Sequence, residues 1–75
     1  MERTEALISE RVRHLLDERG ISGSELARQT GWTQSYASRR VRTVKPVPWS
    51  LADLGHLAAV LDVPLADFIP AGRAA

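Results

Sequence analysis

The chain has no cysteine, so it holds neither a disulfide framework nor a thiolate zinc site and is indifferent to the redox state of its compartment. Its two histidines, His14 and His56, have no partner at ligand spacing, and no metal is expected. Aromatic residues make up 5% of the sequence, and no β-branched or aromatic run alternates strictly with polar positions, which argues against strands. No apolar run approaches the roughly 20 residues that cross a bilayer. The opening Met-Glu-Arg-Thr-Glu has no apolar signal core behind it, and a cytoplasmic chain without membrane contact is expected. A nucleophile-and-base set and a phosphate-cradling glycine loop are also missing, so catalysis, a cofactor and a small-molecule ligand are not expected. The most uneven absence is that of acid. Arg28 through Lys45 contain no Asp or Glu yet hold five of the ten basic residues, on a chain whose formal net charge is only +1.

At 75 residues the chain is near the lower size at which one core folds without metal or disulfide help. Helical signals fill it. Thr4 offers an N-cap to a first helix, in which Ile8, Val12, Leu15 and Leu16 recur at helical spacing until Gly20. Ser22-Gly-Ser-Glu25 has the form of a capping box opening a second helix, with Leu26 and Ala27 facing inward. Gly31 ends that helix, since a left-handed backbone is cheapest for glycine. Thr33 then caps a third helix from about Gln34 to about Arg42. Pro46 and Pro48 stiffen the loop that follows. Ser50-Leu-Ala-Asp53 opens a fourth helix striped by Leu51, Leu54, Leu57, Ala58 and Leu61. Pro64 suits the first turn of a fifth helix that carries Leu65, Phe68 and Ile69 before Pro70. Those three residues either close the core or pair subunits. Trp32 and Trp49 each precede an N-cap, where an apolar ring staples onto the helix, and Tyr36 either packs on the scaffold, the favoured reading, or stacks against a sugar or thymine methyl.

The second and third helices, joined at Gly31, match the helix-turn-helix plan, in which the second of the pair enters the major groove. Ala27 is small where the recognition helix crosses closely. The sequence also resembles the phage-repressor and Cro family of helix-turn-helix regulators, the XRE-like proteins. The resemblance runs through Arg11-Val-Arg-His-Leu-Leu, Ser24-Glu-Leu-Ala27, Gly31-Trp-Thr-Gln-Ser35 and Leu57-Ala-Ala-Val-Leu-Asp-Val-Pro64. It implies base contacts for the residues that open the third helix, Thr33, Gln34 and Ser35, and one turn later for Ser38 and Arg39. Gln pairs bidentately with adenine and Arg with guanine. Arg28, Arg40, Arg42 and Lys45 are the expected phosphate contacts, which fix register and supply salt-dependent affinity without reading sequence.

Several positions depart from the family pattern. Gly23 stands where the second helix usually offers a glutamine to DNA. Ala37 and Arg40 stand where two branched apolar residues are usually buried, which leaves Val41 as a second anchor if the helix rolls slightly. An apolar pair, Leu16 and Val41, replaces a charged pair found in some relatives. The loop from Thr43 to Trp49 is a few residues longer than is common.

The expectation is an all-α, compact five-helix bundle of the lambda-repressor-like kind, with residues 1–70 as the DNA-binding domain and residues 71–75 as a flexible tail. With no separate sensor domain, it would act in the cytoplasm of a bacterial or phage-infected cell, on the nucleoid, by occupying an operator. A homodimer on an inverted repeat, paired through Leu65, Phe68 and Ile69, would double the sequence read. Two readings stand beside this one. The fold could serve as a protein-binding adaptor, antitoxin or antirepressor, or the chain could be the DNA-binding part of a longer regulator.

Overall fold

The computed structural model describes residues 3–69. Among them lie four α-helices, α1 (Arg3–Glu18), α2 (Gly23–Thr30), α3 (Gln34–Val41) and α4 (Leu51–Leu61), followed by a single 3-10 turn at Leu65–Phe68. The described residues contain no strand.

The apolar spacing of α1 sets one face of the core. Val12 and Leu16 are buried on it, with Ile8 and Leu15 half-buried alongside. The helix opens at Arg3, so Thr4 belongs to its first turn instead of capping it. At the other end Gly20 takes a left-handed backbone, φ 67°, and the Ile21 amide returns to the Leu16 carbonyl at 2.9 Å. Arg19 then donates to the Leu61 carbonyl at 2.7 Å, which puts a cation at the negative end of α4 and ties the first helix to the fourth.

Helix α4 opens on Ser50, whose hydroxyl accepts the Asp53 amide at 3.1 Å. It closes on Asp62 in a left-handed conformation, φ 58°. Leu54, Leu57, Ala58 and Leu61 form its buried stripe. Leu51, expected on the same stripe, is 70% exposed; as the first residue of the helix it sits at the rim of the bundle.

The expected fifth helix is instead one 3-10 turn, closed by bonds from the Asp67 amide to the Pro64 carbonyl at 3.0 Å and from the Ile69 amide to the Ala66 carbonyl at 3.1 Å. The prolines explain it. Pro70 disfavours a helical backbone at the residue before it, and Ile69 is extended, φ −94°, ψ 123°. Too few residues then remain after Pro64 to offset the cost of nucleating an α-helix. The turn nevertheless packs on α1 and α4 and carries Phe68 into the core with none of its surface exposed. Phe68 therefore closes the core and is withdrawn from any subunit interface, while Leu65 and Ile69 stay 37% and 39% exposed. The tail at 71–75 lies outside the described residues.

Removing a buried phenylalanine side chain costs about 3–5 kcal/mol, a large fraction of what holds so small a domain together. Urea unfolding of Phe68→Ala is accordingly expected to show a fold largely lost at room temperature. Ile69→Ala should shift the midpoint far less.

Candidate nucleic-acid interface

The interface is built on the reversal between α2 and α3. Gly31 adopts φ 84°, and its amide bonds to the Ala27 carbonyl. A side chain there would be strained by about 1–2 kcal/mol. The reversal brings Leu26, Ala27 and Ala37 into the core, with Leu26 and Ala37 fully buried. Thr30 locks it from inside, donating to the Leu26 carbonyl at 2.9 Å and accepting the Trp32 amide at 3.2 Å. Both helices are capped by hydroxyls at 3.1 Å, Ser22 on the Glu25 amide and Thr33 on the Tyr36 amide. The Glu25 carboxylate turns forward to Arg28 and Gln29, leaving the capping box with its serine half. Those two bonds, Arg28 first, hold the Glu25 carboxyl below its usual range.

Trp32 covers the turn. Its ring centroid lies 5.1 Å from that of Tyr36, 5.8 Å from Trp49 and 5.6 Å from His56. His56 Nε2 stands 2.8 Å from the Thr30 carbonyl, so His56 is a structural pin for the end of α2. Trp49 is buried.

At about 100° per residue, the eight residues of α3 divide into two arcs. Gln34, Ser35, Ser38 and Arg39 all point to solvent, and Arg42 continues the same side beyond the helix. Ala37 is buried, while Tyr36, Arg40 and Val41 are half-buried. The structure thus brings four of the five expected base-reading residues onto one exposed strip, and Thr33 stands exposed at its start as the cap. Arg39 lies along the strip and donates to the Ser35 hydroxyl at 2.8 Å. Val41, partly buried against the core, is the second anchor that the missing branched residue required.

The four expected phosphate residues fall in different places. Arg28 is exposed on α2 and paired with Glu25. Arg42 is exposed and donates through Nε to the Lys45 carbonyl at 3.0 Å. Lys45 is exposed in the loop with a left-handed backbone, φ 48°, and the loop is held to α3 by the Val47 amide on the Arg39 carbonyl at 2.9 Å. Arg40 departs from the expectation and turns inward. Its side chain is 13% exposed, with Nε 3.3 Å from Asp53 Oδ2. Helical spacing carries the reason, because Arg40 follows Ala37 by three residues and Tyr36 by four and so shares their arc.

Ser22 and Ser24 at the start of α2 and Gln34 at the start of α3 share, with Arg28 and Trp32, an open cleft of 420 Å³. The two helix amino ends and Arg28 favour an anion there, and the Glu25 carboxylate, which lines the same cleft, opposes one.

Sequence reasoning missed Asp53. Its spacing from Ser50 marked it as part of a helix start, and its amide does serve there. Its carboxylate, however, accepts the Tyr36 hydroxyl at 2.7 Å and faces Arg40. The hydrogen bond to Asp53, and after it burial, push the Tyr36 phenol above its ordinary value of 10.0. The stabilisation this bond gives is complete below the ordinary phenol range and is lost as pH rises through the raised value. Tyr36 is the sole tyrosine, so an absorbance titration reads it directly. Its midpoint is expected above that of free tyrosine, and Asp53→Asn should bring it back toward the ordinary value.

Curated proteins and solved structures offer no match to the chain. The family of Cro/C1-type helix-turn-helix DNA-binding domains matches residues 11–70, a span that takes in α2, the Gly31 turn, α3 and α4. The chain belongs to this Cro/C1-type helix-turn-helix DNA-binding domain family.

Proposed function

We infer that the domain is a transcriptional regulator that binds double-stranded DNA sequence-specifically and represses by occupying an operator. The observation that carries this reading is the exposed strip of α3, where Gln34, Ser35, Ser38 and Arg39 stand together with no acid among them. With α3 in the major groove, Gln34 suits adenine and Arg39 suits guanine, each through two hydrogen bonds. Ser35 and Ser38 accept or donate at either base, and Thr33 adds a contact at the amino end of the helix. Arg42 and Lys45 reach the backbone on the loop side of the strip. Arg28 reaches it on the other side, near the cleft where the amino ends of α2 and α3 meet. Arg40 is left out of the phosphate set, since its guanidinium is engaged with Tyr36 and Asp53.

One such helix reads only a short half-site, which supports a homodimer on an inverted repeat. Leu65 and Ile69 are the surface residues of the C-terminal turn left for pairing.

Selection of bound sites from random duplexes tests the reading, followed by fluorescence anisotropy on the selected duplex. Gln34→Ala and Arg39→Ala should each cost about 1–3 kcal/mol on that duplex and relax preference at one base pair. Lys45→Ala should weaken all duplexes alike and flatten the dependence of log affinity on log salt by about one unit. Two chains on a palindromic duplex in sedimentation velocity would support the dimer, and one chain per half-site without cooperativity would refute it. Failure to bind any duplex at low salt would assign this fold to protein binding instead.

A further inference from the structure

Asp53, Tyr36 and Arg40 form a compact unit between α3 and α4. The Asp53 backbone is fixed by the Ser50 hydroxyl at 3.1 Å, and its Oδ2 accepts the Tyr36 hydroxyl at 2.7 Å and lies 3.3 Å from Arg40 Nε, an ion-pair contact without hydrogen-bond geometry. The Arg40 guanidinium lies over the Tyr36 ring, 3.6 Å from its centroid, and donates through Nη1 to the Tyr36 carbonyl at 3.0 Å. The side chains of Arg40 and Asp53 are only 13% and 14% exposed. Tyr36 and Arg40 are one turn apart on α3, so a single carboxylate holds that helix at two levels along its axis. Ala37 and Val41, the anchors of α3 on the core, are small or only partly buried, so the Asp53 link adds a polar constraint to the roll that packing sets.

We propose that Asp53 is a positioning residue for DNA recognition: it sets the roll of α3 and keeps the Arg40 charge off the phosphates. The proposal rests on the DNA-binding reading given above. Its physical content is a division of cations. Arg39 and Arg42 are presented outward, whereas Arg40, between them in sequence, is neutralised in place. A free arginine at the edge of the recognition helix adds sequence-independent affinity, because each phosphate it neutralises releases counterions and steepens the salt dependence by about 0.9. Sequestering that charge leaves a larger share of the binding to base-edge contacts.

The test measures affinity against salt for the selected duplex and a scrambled one, with the intact chain and Asp53→Asn, Arg40→Gln and the double variant. Circular dichroism confirms folding. Asp53→Asn is expected to steepen the salt dependence by about 0.9 and to narrow the ratio of specific to scrambled affinity, since α3 rolls more freely and Arg40 is released. Arg40→Gln alone should keep the wild-type slope. The double variant should return to that slope while discrimination stays reduced. A folded Asp53→Asn with unchanged slope and ratio would overturn the proposal and leave Asp53 merely structural. If Asp53→Asn does not fold, Arg40→Gln still decides: a slope flattened by one contact would place Arg40 on a phosphate in the wild type and overturn the proposal, and an unchanged slope would support it. In either of those overturning results the wild type still binds DNA, so the DNA-binding reading survives. A wild type that binds no duplex overturns both.

Discussion

Two helices of eight residues each make the candidate interface, and helices shorter than about 12–15 residues are marginal in water on their own. Everything that α2 and α3 present to a partner therefore depends on the contact between them, the most extensive between any two elements described. Leu26, Ala27 and Ala37 bury it, and the left-handed Gly31 makes it geometrically possible. Because Ala37 contributes a single methyl group, the contact brings the helices close without gripping firmly. That trade explains why so much polar structure surrounds it. The hydroxyl caps at Ser22 and Thr33 and the His56 pin on the Thr30 carbonyl each take a backbone group that a short helix would otherwise leave unpaired.

The remaining support comes from further along the chain. Helix α4 packs on α2, and through the Asp53 carboxylate it reaches α3 as well. Leu54, Leu57, Ala58 and Leu61 bury α4 against the core, so the carboxylate is mounted on a helix anchored by four buried side chains. Helix α1 and the C-terminal turn complete the arrangement: Arg19 ends α4, Arg11 donates to the Asp67 carbonyl at 3.3 Å, and Phe68 fills the space beneath. The outward strip is thus shaped by a core that lies almost wholly behind it.

Much of this was legible in the sequence because it is written in local signals. Caps at Ser22, Thr33 and Ser50, the reversal at Gly31, the apolar spacing of α1 and that of α4 from Leu54 onward all act within a turn or two of chain, and each is found where the pattern put it. The errors have physical causes of two kinds. The fifth helix was inferred from apolar spacing while the prolines on both sides left too little chain for it, and Leu51 matched a stripe that begins only at Leu54. Arg40 was counted by charge, although its position relative to Ala37 already placed it on the inner arc. The link to Asp53 was of another kind. Its partner Tyr36 lies 17 residues away, and no local pattern announces a hydrogen bond between side chains so distant in the chain.

The cluster of Trp32, Tyr36 and Trp49 has a practical consequence. It joins the turn, α3 and the segment before α4 in ring contacts of 5.1 and 5.8 Å, and it contains both tryptophans and the only tyrosine of the chain. Intrinsic emission from this protein consequently comes from a single spot, next to the strip that would face a ligand. An emission change on adding a partner and one on loosening the bundle originate in the same rings. Fluorescence alone would merge the two processes, and an observer following the far-ultraviolet signal of the helices would see only the second.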